Sequence, residues 1–331
     1  MKLKRYFCVI LCILLSACAA LPRAPKPLLK IGLVAPFEGR DRALGYQALE
    51  AVKEALAQRN AAGGVGGYMI ELVALNDNNI AEESAFQARK FAVDADVMGV
   101  IGPFSEAALA AAAPYYDEFG LPLIAPVATD GQPHPAVFSL AASPAELAIA
   151  LLERLPHEND PLLIDSGGTL GAALRPAIRR VVSASGDPAE LARRVHLSTE
   201  RPPSHILFDG NAQTAAEFLV ALRAVGGQQP VLGGPDLART QLPQIAGAAA
   251  QNVCYAIAVP TPSAYTASTT PAPWGELACT ATNLLLDTLE QVLQSEQTPS
   301  RRRVLAQLNA TFESYRRERI GIQIYCYNQD K

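Results

Sequence analysis

From Leu29 onward, short apolar runs alternate with helix-length segments, and this alternation constrains the fold more than any other feature of the chain. Leu29 to Ala35 is a strand-like run, after which Ala48, Leu49, Val52 and Leu56 recur at the spacing of one helix face and Gly63 and Gly64 supply a stop. Tyr68 to Leu75, Val97 to Ile101 and Leu121 to Ala125 read as further strands, with helices from Glu82 to Val93 and Glu106 to Tyr116 between them. After Phe138 the rhythm restarts. Helices are expected from Pro144 to Leu155, Leu170 to Val182 and Thr214 to Val225, and strands at Leu162 to Asp165, Arg194 to Leu197, His205 to Phe208, Pro230 to Leu232 and Asn252 to Val259. A loop from Pro260 to Pro273 precedes a long helix from Trp274 to Gln294, another from Arg301 to Asn309 and a final strand from Ile320 to Tyr327. Such alternation predicts an α/β fold with two parallel sheets, each flanked by helices. Ligands of open parallel sheets bind beyond the carboxyl ends of the strands, so the site is sought in the loops that follow them.

The N-terminus carries Lys2, Lys4 and Arg5 ahead of an apolar run from Tyr6 to Leu15, the layout of a secretory signal and too short to span a bilayer comfortably. Leu15-Ser16-Ala17-Cys18 resembles the lipobox of bacterial lipoproteins, which implies cleavage before Cys18, lipidation of that cysteine and anchoring at the extracytoplasmic face of a membrane. Residues 19–29, with Pro22, Pro25 and Pro27, read as a tether, and the folded body is expected from Lys30. Without residues 1–18 the chain holds 25 Lys and Arg against 32 Asp and Glu, a net charge of −7, which disfavours a nucleic-acid partner. Three cysteines then remain, Cys254, Cys279 and Cys326, so at most one internal disulfide can form; buried free thiols are the simpler expectation.

Five stretches carry a resemblance to a known family: Ile31-Gly32-Leu33-Val34-Ala35-Pro36, the turn from Asn60 to Gly67, Val100-Ile101-Gly102-Pro103, the segment from Gly120 to Thr129, and Gly233-Gly234-Pro235-Asp236. Together they resemble the type I periplasmic binding proteins of branched-chain amino acid transport, the leucine/isoleucine/valine-binding family. The resemblance implies a two-lobed clamshell, with residues 30–141 and 260–318 in one lobe and residues 142–259 and 319–331 in the other. It also implies a small polar or amino-acid-like ligand in the cleft and the permease of an ABC transporter as partner.

The same resemblance places candidate ligand contacts. Val127-Ala128-Thr129 corresponds to the segment that offers backbone donors and a hydroxyl, and Asp236 to the acid that pairs with a ligand ammonium. Ser105 or Glu106 falls where a ligand-facing serine is usual, and a carboxylate there would repel a ligand carboxylate. Leu44 and Leu170 stand where covering aromatics are usual, and Ala212 where a further tyrosine is. Arg40 and Arg42 are expected at the mouth of the cleft, either as solvated loop charges, as contacts of an anion, or paired with Glu106.

No motif for enzymatic chemistry is present: the sequence lacks a Gly-x-Ser-x-Gly elbow, His-Glu-x-x-His, Cys-x-x-Cys and a phosphate loop. His134, His157, His196 and His205 lie in different predicted elements, so neither a metal site nor a cofactor is expected. Asp165-Ser166 follows a strand, and the serine is expected to bond its own backbone in the turn; Asp77 is expected in a loop or cap role. The chain is thus expected to bind a solute without transforming it. The alternative is a lipoprotein of the same fold whose emptied ligand site serves regulation or protein interaction.

Overall fold

A computed structural model of the protein describes residues 26–129, 131–156, 160–197, 202–261, 273–296 and 298–327. The first half of the chain forms β1 (Leu28–Ala35), α1 (Arg42–Ala61), β2 (Met69–Asn76), α2 (Ala81–Val93), β3 (Val97–Ile101), α3 (Glu106–Phe119), β4 (Leu123–Ala125) and β5 (Val137–Ser139). Its five strands are all parallel, in the order β2-β1-β3-β4-β5. Every residue of β3 is buried, as a strand covered by helices on both faces must be. The second half contributes α4 (Pro144–Glu153), β6 (Leu162–Asp165), α5 (Thr169–Leu174), β7 (Arg180–Ser183), α6 (Pro188–Leu197), β8 (Ile206–Asp209), α7 (Ala212–Ala224), β9 (Val231–Gly233), α8 (Gln241–Ala246) and β10 (Val253–Pro260). α9 (Pro273–Ser295) and α10 (Arg301–Arg319) then return to the first sheet, and β11 (Ile320–Tyr327) joins the second, whose order is β11-β10-β9-β8-β6-β7.

Return of the chain to the first lobe has a visible fastening. The Arg301 guanidinium donates to the carbonyls of Val97 (2.7 Å) and Ala92 (2.9 Å), so the start of α10 is tied to β3 and to the end of α2. Near the other end of α10, Arg316 donates to the Ala141 carbonyl (2.9 Å) and to Glu146 (2.8 Å), where the chain passes between lobes. Among the described residues no helix is long and apolar enough to cross a membrane.

Local chemistry explains the element boundaries that position the cleft. Ser105 caps α3 by accepting the Ala108 N–H (3.3 Å), and Ser143 with Glu146 makes a reciprocal capping box at α4. Gly45 admits the close approach of α1 to the first strand: a Cβ there would lie 1.9 Å from the Pro36 carbonyl oxygen. Gly102 has φ +105°, and its Cβ would lie 2.1 Å from the Val34 carbonyl oxygen.

Four expectations from the sequence are corrected. Leu170 to Val182 is not one helix. α5 stops at Leu174 because Pro176, in a 3-10 turn from Arg175 to Ala177, has no N–H to continue the helix, and Val181 and Val182 then enter the edge strand β7. Arg194 to Leu197 is the last turn of α6, where buried Leu191, Ala192 and Val195 follow a helical period. The first strand opens at Leu28, with Leu29 buried, so the body begins before Lys30. Finally, Cys254 and Cys326 are not free thiols. The antiparallel register of β10 and β11 sets them opposite each other with Cα atoms 4.0 Å apart, and they form a disulfide, leaving Cys279 as a half-buried thiol. The expected signal segment, Cys18, His157 and most of the loop after Pro260 lie outside the described residues.

Candidate functional site

Strand ends from both sheets face one cavity of about 360 Å³ between the lobes. The first lobe supplies Ser105 and Glu106 at the start of α3 and the Pro126-Val127-Ala128 segment after β4. The second supplies Ser166, Gly168 and Leu170 after β6, Asp209 at the end of β8 and Asn211 beyond it, and Asp236 with Arg239 after β9. Trp274, at the start of α9, closes one side. Apolar Val127, Leu147, Leu170, Phe208 and Ile257 make up much of the remaining wall, the mixture of greasy body and few polar groups that small-molecule sites favour.

The polar groups are unevenly charged. Glu106, Asp209 and Asp236 line the cavity, whereas Arg239 is the one basic side chain among its described lining residues. Arg239 is also engaged: its Nε donates to Asp236 (2.8 Å), an Nη donates across the cleft to the Phe104 carbonyl (3.0 Å), and its guanidinium lies 5.5 Å from the Trp274 ring centroid. Asp41 of the first lobe stands 3.8 Å from the other Nη. Asp209 accepts the Gly168 N–H (2.8 Å) and the Ser166 hydroxyl (3.2 Å), which holds the loop before α5. Neighbouring Asp165 is tied to the Gly167 N–H (2.6 Å) and to Arg175. Glu106 reaches the open cavity, yet the surrounding protein withdraws water from it, and this desolvation raises its pKa. Asp236 and Asp209 push it in the same direction, and Arg239 opposes them.

Of the residues singled out in the sequence, the structure brings Ser105, Glu106, Val127, Ala128, Leu170 and Asp236 together on the cavity wall. Leu44 is elsewhere. It shares the inward face of α1 with Ala48 and Val52, four and eight residues on, and is buried in the core. Thr129 is half-buried just beyond the wall: the Ser139 hydroxyl binds the Val127 carbonyl (2.8 Å), drawing the segment toward β5 before Thr129 is reached. Ala212 is buried in the first turn of α7, and its neighbour Asn211 lines the cavity.

The other side chains singled out in the sequence have the following partners. Arg40 pairs with Gln213 of the second lobe (2.5 Å) and not with Glu106, and Arg42 is exposed. Ser166 bonds the Asp209 carboxylate, not its own backbone. Asp77 is buried and accepts the Asn79 N–H (3.0 Å) in a loop whose Asn78 and Asn79 have positive φ. His134 pairs with Asp117 (2.7 Å), and among the described residues no group of three or more potential ligands could hold a metal. Sequence reasoning missed Asp209, Asn211, Arg239 and Trp274. Asp209 was within reach, since it directly follows the expected strand at Phe208; nothing local marks Trp274, which arrives from a distant helix.

Comparison with known proteins places this geometry. The sequence matches the family described as periplasmic binding protein over residues 29–311. The chain belongs to the periplasmic binding protein family. Among solved structures, a leucine-binding protein from Thermotoga maritima superposes with a TM-score of 0.75 at 17% identity, covering 92% of this chain and 96% of the other. An isoleucine complex of a branched-chain amino acid transporter substrate-binding protein from Streptococcus pneumoniae gives 0.70 at 19% identity, over 86% and 88%. A type 1 periplasmic binding protein from Bordetella pertussis gives 0.69 at 16% identity, over 92% and 98%. These likenesses establish the type I fold.

Among curated relatives, a Leu/Ile/Val-binding protein homologue of Brucella abortus is 35% identical over 100 residues, 30% of this chain. An amino acid binding protein of Pseudomonas aeruginosa is 29% identical over 102 residues, 31% of this chain. The matched stretch of the chain spans only 27% of the length of either relative.

Proposed function

We propose that this periplasmic-binding-family protein is an extracytoplasmic receptor that closes its lobes on a small polar solute and presents it to the permease of an ABC transporter, held to its membrane through Cys18. The observation that carries the reading is the interlobe cavity, to which both sheets contribute the carboxyl ends of their strands. A guest touching Glu106 and Val127 on one side and Leu170, Asp209 and Asp236 on the other would gain contacts in the closed form that the open form lacks, and only such a difference can drive closure. Mutual placement of polar groups and aliphatic wall suits binding.

Native mass spectrometry of the purified protein tests this directly. A small molecule that co-purifies, and is lost from a variant whose cavity is filled by Ala128→Trp, supports the receptor. Solutes that bind should also raise the melting temperature by mass action on the folded state. No retained molecule, and no thermal shift across amino acids, amides, amines and nucleosides at millimolar concentration, would leave the reading without support. A second reading draws on Arg239, which already bridges the lobes: a clamshell latched by its own side chains could serve as an interaction or regulatory module, and cells carrying the Ala128→Trp protein would then behave as wild type.

A further inference from the structure

The charge of the cavity bears on what the proposed receptor accepts, and this inference rests on that receptor reading. An amino acid's carboxylate needs donors or cations, and the first turn of a helix is a favourable place for it. At α3 that place is already taken. Glu106 is the first residue of the helix, so the chain's own carboxylate sits at the positive helix end, and Ser105 uses its side-chain oxygen to cap Ala108. Arg239 offers no ready substitute, since its charge is flanked by Asp236 at 2.8 Å and Asp41 at 3.8 Å and one Nη is held by the Phe104 carbonyl; the other Nη is buried without a hydrogen-bond partner among the described residues. The remaining lining carries Asp209 and Asp236, the latter with half of its side chain exposed. A guest carboxylate would therefore meet three acids and one guanidinium whose charge Asp236 and Asp41 already offset.

A second feature points to a hydrogen-bond acceptor on the guest. Trp274 lines the cavity and is only 4% exposed, and its indole N–H has no acceptor among the described residues. Buried donors are rarely left unmet, because desolvation without a partner is costly.

We propose that the interlobe cavity selects a primary amine that carries no carboxylate, with an aliphatic body and a neutral oxygen such as an amide or alcohol, and that Glu106 is the residue that holds the ammonium and rejects zwitterions. The aliphatic body lies against Val127, Leu147, Leu170 and Ile257. The pKa of Glu106 is raised first by desolvation, and then by Asp236 and Asp209 against Arg239; those two neighbouring acids would also attract an ammonium.

Leucinamide and leucine form a matched pair of probes, alike except that one bears an amide where the other bears a carboxylate. Calorimetric titration of the purified protein at about pH 6.5, below the α-amino range, keeps both ammonium groups charged. The wild type is expected to bind leucinamide at least about tenfold more tightly than leucine, since one unfavourable ion contact at partly screened range is worth that much. Glu106→Gln should weaken leucinamide by about tenfold, and Glu106→Ser should gain leucine binding, a gain that misfolding cannot produce. Tighter binding of leucine than of leucinamide by the wild type, unchanged in Glu106→Ser, overturns the proposal and leaves the receptor standing. Binding of neither probe, nor of leucinol, also overturns it, and the co-purified molecule found by native mass spectrometry then decides the receptor reading separately.

Discussion

Single side chains at the crossing between lobes carry charge effects that can be read out with pH. Glu146 has its pKa lowered from 4.5 to about 2: partial burial pushes it upward, but hydrogen bonds from Arg316 and from the Ser143 backbone and hydroxyl, with the Arg316 charge, outweigh that push. A carboxylate whose folded pKa is depressed adds stability that is present above the unfolded value and lost as the pH falls through the folded one. The contribution of Glu146 is therefore complete above about pH 4.5 and disappears toward about pH 2. In urea titrations, wild type and Glu146→Gln should differ near neutral pH and converge toward about pH 2. A gap independent of pH would mean that the ion pair with Arg316 contributes nothing.

At the scale of elements, caps and the strand register do what the apolar pattern leaves open. Ser143→Ala removes the hydroxyl acceptor from the first turn of α4, and loss of an N-cap costs about 1 kcal/mol, measurable as a lower denaturation midpoint at unchanged slope. The disulfide closes a long stretch of chain, with its two cysteines 72 residues apart. Replacing both with alanine is expected to cost about 2–4 kcal/mol, and reductant should lower the melting temperature of the wild type but not of the double variant. Equal sensitivity of the two proteins to reductant would remove the bond from the account. This pairing was open in the sequence because three cysteines permit any one of three bridges or none; only the antiparallel return of β11 beside β10 chose among them.

For the molecule as a whole, Arg239 joins the lobes across the cleft by the Phe104 carbonyl, the Trp274 face and the nearby Asp41, alongside the Arg40 bond to Gln213. Arg239→Ala should shift the population toward an open form, seen as a larger radius of gyration in small-angle scattering, and Arg239→Lys should fall between, because lysine keeps the charge but not the planar fork. An unchanged radius in both variants would assign closure to other contacts. How far the sequence reached follows from the range of the forces involved. Period and turn chemistry act over a few residues, so the alternation of strands and helices was legible, whereas Ser105, Glu106 and Asp236 were singled out through the family resemblance and line the cavity. Leu44 was misplaced because alignment to a pattern says nothing of which way a helix faces, and the burial of Ala48 and Val52 turns that side inward. Arg239 and Trp274 became site residues only once two sheets and a returning helix stood together, since a cavity wall is made by neighbours in space whose positions in the chain are far apart. The sequence by itself determined the elements and the type of fold; the tertiary structure decided which charges share the cleft, because that depends on distances that no local pattern encodes.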